Sequence, residues 1–319
     1  MNILITGASG FIGGFLVEEA VKRDWKTWAG IRKSSSREYL QDTHIQFIDL
    51  DYADKNRLKK QIEAHVAAFG KWDYVIHNAG VTKCLHAEDF RKVNAENTRR
   101  LVEALQETGN TPKKFILMSS YGAHHPTVKT IYGESKREAE EQLQNTTDFP
   151  YIILCPTGVY GPRDKDYYLL LKSLQKRLDT EVGTERQLLT FLYVKDLVKA
   201  VYLALESPIV NQTYCISDGR EYWDNEYRDI AKKALGVKHC LTLKIPGVVL
   251  KTVCVVSEEF SKVTKKPSTF NRDKYKILKE RYWTCDAAPI QKELGFSADY
   301  DLERGIRESV AWYRANGWL

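Results

Sequence analysis

A doubly wound α/β fold, built on a parallel sheet and carrying a smaller lobe towards the C-terminus, is predicted by three features of this sequence. Short β-rich runs alternate with longer amphipathic stretches over roughly the first two hundred residues. Runs such as Phe115-Ile116-Leu117-Met118 are continuously apolar, as strands covered by helices on both faces are. A glycine-spaced turn, Thr6-Gly7-Ala8-Ser9-Gly10-Phe11-Ile12-Gly13, directly follows the first run and opens an amphipathic stretch.

Taken in order, the strands expected are Asn2–Thr6, Lys26–Ile31, Ile45–Leu50, Tyr74–His77, Lys114–Ser119 and Tyr151–Cys155. Helical spacing of Phe11, Ile12, Phe15, Leu16 and Val21, and again of Leu101, Val102 and Leu105, fills the intervals. After Cys155 the rhythm breaks at Pro156, Gly158, Gly161 and Pro162, which reads as a loop leaving the sheet. Phe191 to Leu205 reads as strand then helix, Gln212–Ile216 as one more strand, and Leu302–Ala315 as a final helix. The expected division is a dinucleotide-binding domain over 1–156, completed by about 183–216, with about 157–182 and 217–319 mainly forming a substrate-binding lobe.

Composition permits this. At 319 residues, 43% hydrophobic and 28% charged, the chain has enough apolar content for a sizeable core and is too apolar for disorder. The balance of 48 Lys and Arg against 42 Asp and Glu gives +6, which allows an acidic ligand but is far from the footprint of a nucleic-acid binder. Much of the excess is local: Lys251 to Trp283 holds nine basic residues and four acids, either to attract an anionic substrate or as a solvated face. Six scattered cysteines form no C-x-x-C pair, so no metal site is expected. Met1-Asn2 runs straight into the first strand without a signal peptide, which predicts a cytoplasmic protein with no integral membrane segment. The apolar stretch Ile245–Val256, interrupted by Lys251, is too short to span a bilayer. A buried helix of the smaller lobe is expected there rather than one resting on a membrane surface, because its polar face is not strongly basic.

Glycines 7, 10 and 13 allow a tight turn, close approach to a pyrophosphate, and packing of helix on strand, while Ser9, Phe11 and Ile12 bring the helix N-terminus to the phosphates. At the end of the second strand such a site needs an acid for the ribose of NAD or a cation for the 2′-phosphate of NADP. Arg32 and Lys33 stand there, with no acid before Glu38, so NADP is preferred to NAD. Asp49, beside Leu50, could lie near the adenine, or one of the acids at 49 and 51 could cap a helix. Farther on, Tyr132 and Lys136 are four residues apart in a helical stretch, where the ammonium would favour the phenolate of the tyrosine. Ser119-Ser120 closes the fifth strand with hydroxyls suited to a substrate oxygen.

In this order the motifs resemble the extended short-chain dehydrogenases/reductases, the NAD(P)-dependent epimerase/dehydratase-like family. T-G-x-x-G-x-x-G at 6–13, Asp49-Leu50, Asn78-Ala79-Gly80, Asn94, Ser120, Tyr132/Lys136, Pro156 to Arg163 and Phe191 to Asp196 all match. The resemblance implies a Rossmann-type domain in which Ser120 orients the reacting oxygen, Tyr132 exchanges its proton and Lys136 holds the nicotinamide ribose. It further implies that Asn78, Ala79, Gly80 and Asn94 support the cofactor, that Pro156, Gly158 and Val159 border the nicotinamide, and that a homodimer pairs helices such as 88–109 and 132–146. Thr82, Tyr121, His124, Tyr160 and Arg186 are expected to face the substrate.

Departures from the family pattern narrow the chemistry. Tyr121-Gly122 stands where dehydratases carry an Asp-Glu pair after the catalytic hydroxyl, Leu189-Thr190 where epimerases often carry an arginine, and Cys155 where another arginine is common. Hydride transfer on a nucleotide-sugar or related substrate is the first expectation. The alternative is an NADPH-dependent reductase of a less polar ketone, of the dihydroflavonol or 3β-hydroxysteroid type. A dinucleotide-binding regulator without chemistry would have lost Tyr132 or Lys136, and both are present.

Overall fold

Ile3 and Ile5 turn to one side of the first strand and Leu4 to the other, and a different set of helices covers each side. The computed structural model describes residues 1–182 and 185–319. The chain begins β1 (Asn2–Thr6), α1 (Phe11–Lys22), β2 (Lys26–Gly30), β3 (Ile45–Ile48), α2 (Lys55–Phe69) and β4 (Tyr74–His77). Next come α3 (Ala87–Arg91), one π-helical turn (Lys92–Glu96), α4 (Asn97–Glu107), β5 (Lys114–Met118), α5 (Ile131–Gln144) and β6 (Tyr151–Pro156). Then follow β7 (Gly158–Tyr160), α6 (Asp166–Gln175), β8 (Leu178–Val182), β9 (Leu188–Leu189), β10 (Phe191–Tyr193), α7 (Val194–Glu206) and β11 (Gln212–Ile216). The remainder is β12 (Tyr222–Trp223), α8 (Asp224–Leu235), β13 (Leu241–Ile245), α9 (Gly247–Thr264), α10 (Arg272–Lys279), β14 (Tyr282–Trp283), α11 (Ala288–Leu294) and α12 (Leu302–Ala315).

Seven strands form one parallel sheet in the order β11-β6-β5-β4-β1-β2-β3, the doubly wound arrangement expected. Phe15, Leu16, Leu197, Val201 and Ile290 pack on one face; Leu58, Ile62, Leu101, Leu105 and Leu143 pack on the other. The order reverses between β1 and β4, so the loops after these strands part and leave a crevice at their carboxyl ends. The smaller lobe has its own aromatic core, in which Tyr160, Phe191, Tyr193, Tyr222, Tyr227 and Tyr313 meet Leu302 and Ile306 of α12. Residues 183–184, where the larger domain was expected to resume, lie outside those described. Within the stretch assigned to the smaller lobe, α11 instead packs on the large sheet through Ile290 and Leu294.

The expectation of a buried helix over Ile245–Val256 is overturned. The helix is longer, and of α9 only Leu250, Cys254 and Ser261 are buried; one face packs towards α10, a helix with no buried residue of its own. Among the described residues, no helix is long and apolar enough to cross a membrane.

Two histidines are locked into the covered faces. His65 lies flat on Trp72 at 4.0 Å and edge-on to Trp28, and burial lowers its pKa to about 4. His77, wholly enclosed at the end of β4, is lowered to about 3 by burial and by the Lys136 charge. Both stay neutral in the folded protein at pH values where the unfolded chain binds protons, so stability is complete above about pH 6.5 and falls with acidification. His77 alone is expected to cost about 2 kcal/mol at pH 5. Urea titrations of the wild type and of His77→Gln between pH 7 and 5 check this; equal losses in both proteins would refute it.

Candidate active site

The crevice at the carboxyl ends of β1 and β4 opens into a continuous cleft of about 1320 Å³. Its floor is the turn from β1 into α1. Gly7 has φ +65°, and a Cβ on it would sit 2.8 Å from the Ala79 backbone nitrogen. A Cβ on Gly13 would lie 2.2 Å from the Gly7 carbonyl oxygen, so only glycine lets α1 start this close to the strand. No side chain caps α1, which leaves its first N–H groups directed at the cleft. Thr6 Oγ1 binds His77 Nδ1 at 2.9 Å and accepts the Ala79 N–H at 3.1 Å, tying the loops after β1 and β4 together. A cradle that any side chain would fill, over free helical N–H groups, fits a dinucleotide pyrophosphate.

The predicted cofactor residues Gly7, Ser9, Gly10, Phe11, Ile12, Arg32, Lys33, Asp49, Leu50, Asn78, Ala79, Gly80, Tyr132, Lys136, Pro156 and Val159 all line this cleft. Gly13 and Asn94 support it from behind. Gly158 does not border it; the space its Cβ would need is taken by the Tyr167 hydroxyl. Arg32 and Lys33 project from the end of β2 with neither ammonium nor guanidinium in an ion pair among the described residues. The Lys33 backbone N–H binds Asp49 Oδ2 at 3.0 Å, so Asp49 braces this rim. Neither Asp49 nor Asp51 caps α2; Asp54 does, accepting from the N–H groups of Asn56 and Arg57.

At the other end of the cleft stand Ser120, Tyr132 and Lys136. Helix α5 starts at Thr130, whose hydroxyl caps it by accepting the Gly133 N–H. That start carries Tyr132 and Lys136 on one face towards the end of β5. Lys136 Nζ donates to the Met118 carbonyl at 2.8 Å, and burial lowers its pKa to about 8 although the Glu140 carboxylate favours the charged form. Burial pushes Tyr132 up to about 12, and the facing Ser120 hydroxyl draws it back down. Ser120 Oγ accepts the Gly122 N–H at 3.2 Å, so its own hydrogen serves the Tyr132 oxygen and, once a substrate sits between them, the substrate oxygen.

Behind the trio, Asn94 sits in the π-helical turn before α4, a local bulge that turns its amide inwards. Its Oδ1 accepts the Val81 N–H at 2.8 Å, and its Nδ2 donates to the Val81 carbonyl and to Ser135 Oγ. Glu140, one turn beyond Lys136, is buried and receives Ser119 Oγ, His124 Nε2 at 2.7 Å and Cys155 Sγ at 3.6 Å. The Tyr132, Lys136, Glu140 spacing of four would have marked it in the sequence.

Of the residues expected to face substrate, Thr82 lines the cleft and the other four do not. Tyr121 is buried edge-on against Trp283, and His124 is held by Glu140. Tyr160 belongs to the aromatic core of the smaller lobe, and Arg186 lies outside on Trp223, bonded to Asn225. In their place the mouth is framed by Lys83, which reaches Asp166 at 2.7 Å, and by Asp164 and Lys165. Residue 83 follows β4 and residue 166 opens α6, so only the fold brings them together.

The comparisons with known proteins agree with this geometry. A family model described as "NAD dependent epimerase/dehydratase family" matches residues 3–216. The chain is 26% identical to a ceramide reductase of Caulobacter vibrioides, covering 99% of this chain and 96% of that one. It is 25% identical to a decarboxylating sterol-4-alpha-carboxylate 3-dehydrogenase of Candida albicans, over 98% and 97% of the two chains. It is also 24% identical to a dTDP-glucose 4,6-dehydratase of Neisseria gonorrhoeae, over 99% and 96%. Among solved structures, the fold matches a UDP-glucose 4-epimerase of Thermotoga maritima with UDP-glucose, at TM-score 0.78, 21% identity and 99% of both chains. With a family match over two-thirds of its length and a fold shared from end to end, the chain belongs to the NAD-dependent epimerase/dehydratase family and is an enzyme of the extended short-chain dehydrogenase/reductase type.

Proposed function

We propose that this enzyme is an NADPH-dependent reductase of a ketone carried on a predominantly apolar substrate. The observation that carries the reading is the cleft itself, with Ser120, Tyr132 and Lys136 at one end and the unpaired cations Arg32 and Lys33 at the other. When bound there, the nicotinamide supplies a hydride for the carbonyl carbon. Ser120 Oγ donates a hydrogen bond to the carbonyl oxygen and fixes its position. Tyr132 hands its phenolic proton to that oxygen as charge develops, completing the alcohol. Lys136 keeps an ammonium beside the phenol, stabilising the phenolate left behind.

An apolar substrate is favoured by the similarity to a ceramide reductase over nearly the whole chain. Elimination chemistry is disfavoured by the residues around Ser120. Tyr121 is packed away on Trp283, Glu140 is engaged by Ser119 and His124, and both oxygens of Asp164 are held by the N–H groups of Asp166 and Tyr167. A second reading, a nucleotide-sugar epimerase, is favoured by Lys83 and Lys165 at the cleft mouth, which suit a diphosphate. The deciding experiment follows NADPH consumption with ketones of increasing chain length, beside melting curves with UDP- and GDP-sugars. Turnover is expected to rise with apolar length while the sugars leave the melting temperature unchanged. Stabilisation by a nucleotide-sugar, with no ketone turned over, would replace this reading with the epimerase.

A further inference from the structure

Helix α9 presents a long apolar ridge to solvent. Val249, Val253, Val256, Phe260 and Val263 are between 48% and 78% exposed, and their spacing of four, three, four and three keeps them on one face. At 100° per residue they fall within an arc of about 80° and run about 21 Å along the helix. Val248, about 100° round the helix, is exposed as well, and the preceding strand β13 exposes Leu241 and Leu243. The opposite face holds Leu250, Cys254 and Ser261 against the protein. An apolar surface of this extent marks an interaction site.

Charge indicates what covers it. Lys244 precedes the helix, Lys265 and Lys266 follow it at the far end of the ridge, and Lys251 and Lys262 stand on the side of the helix away from the ridge; all five are exposed. The two acids of the helix are neutralised nearby: Arg272 bridges Glu258 at 2.6 Å and Glu259 at 3.1 Å, and Lys262 also reaches Glu259. Lys251, Lys265 and Lys266 make no ion pair among the described residues. A convex ridge that ends in the unneutralised pair Lys265 and Lys266 repels a second copy of itself at that end and offers a rigid partner no groove. It complements a deformable apolar layer under a negatively charged surface.

We propose that α9 docks this enzyme on the surface of an anionic lipid bilayer, its valine and phenylalanine ridge in the acyl boundary and Lys265 and Lys266, at the end of the ridge, among the headgroups. Docking also brings the bilayer to the cleft. Lys274 of α10 lies within reach of the charges of Lys83, Asp164 and Asp166 at the cleft mouth and of Cys254 of α9, so the α9–α10 pair stands beside the entrance. The inference concerns the outer surface of α9 and is independent of which ketone is reduced.

The test is flotation of the full chain with vesicles of phosphatidylcholine alone, and of phosphatidylcholine mixed with an equal amount of phosphatidylglycerol. Wild type is expected to float with the anionic vesicles and to be released by salt. Val256→Glu/Phe260→Glu, at exposed positions that leave the core untouched, is expected to reduce the bound fraction about tenfold or more. Lys265→Glu/Lys266→Glu should erase the preference for anionic lipid. Circular dichroism and the melting shift given by NADP confirm that each variant is folded. Absence of wild-type flotation, or equal flotation of the ridge variant, would overturn the proposal. A concentration-dependent dimer lost in the ridge variant, with no vesicle binding, would assign the ridge to a second copy instead.

Discussion

Replacing Tyr132 by phenylalanine is expected to lower kcat by about 10²–10⁴-fold, the range of a positioned general acid, while the cofactor dissociation constant changes by less than about twofold. The ring is enclosed and stacks edge-on against Phe90 at 6.3 Å, so phenylalanine keeps the packing and removes only the hydroxyl. The proposed grips on the cofactor, the glycine turn, α1 and the rim at Arg32, lie elsewhere in the cleft. Stopped-flow reduction and cofactor titration separate the two effects, and undiminished reduction would remove Tyr132 from the chemistry. The same site sets a pH dependence. In the proposed mechanism reduction needs Tyr132 protonated and Lys136 charged; with the phenol near 12 and the ammonium near 8, the second condition fails first. The reductive rate is therefore expected to be level through neutrality and to fall as pH rises through about 8.

How much of this was legible in the sequence depends on the range of the interaction involved. The glycine turn, the Tyr132/Lys136 spacing, the strand Gln212–Ile216 and the helix Leu302–Ala315 are local patterns, and the structure has all of them where they were read. Residues chosen for proximity to a motif fared worse. Tyr121 and Tyr160 flank motif positions, yet the helical turn that opens at Tyr121 and the strand alternation at Tyr160 send both side chains into cores. The Lys83–Asp166 pair joins loops far apart in sequence and has no local signature. Helix α9 shows a further limit: its apolar content was plain, but whether another element covers that surface is a property of the packed fold.

Arg32→Ala is expected to weaken NADP by about 1.5–3 kcal/mol, roughly ten- to a hundredfold, and to leave NAD nearly unchanged. The two dinucleotides differ by a phosphate on the adenosine ribose, so a group that discriminates between them must stand at the end of the second strand. There Arg32 is exposed, lines the cleft and has no carboxylate partner among the described residues, so its guanidinium is available for a bidentate phosphate contact. Asp49, an acid of this rim that could serve the ribose of NAD, already has its Oδ2 held by the Lys33 N–H. Because that bond uses the backbone of residue 33, removing the Arg32 side chain leaves the rim in place, and the loss reports the phosphate contact rather than a collapsed loop. Titrating both cofactors into wild type and variant by fluorescence decides the matter: equal losses for NADP and NAD would eliminate the 2′-phosphate role, and an Arg32→Lys variant that retains part of the NADP preference would locate the effect in the charge.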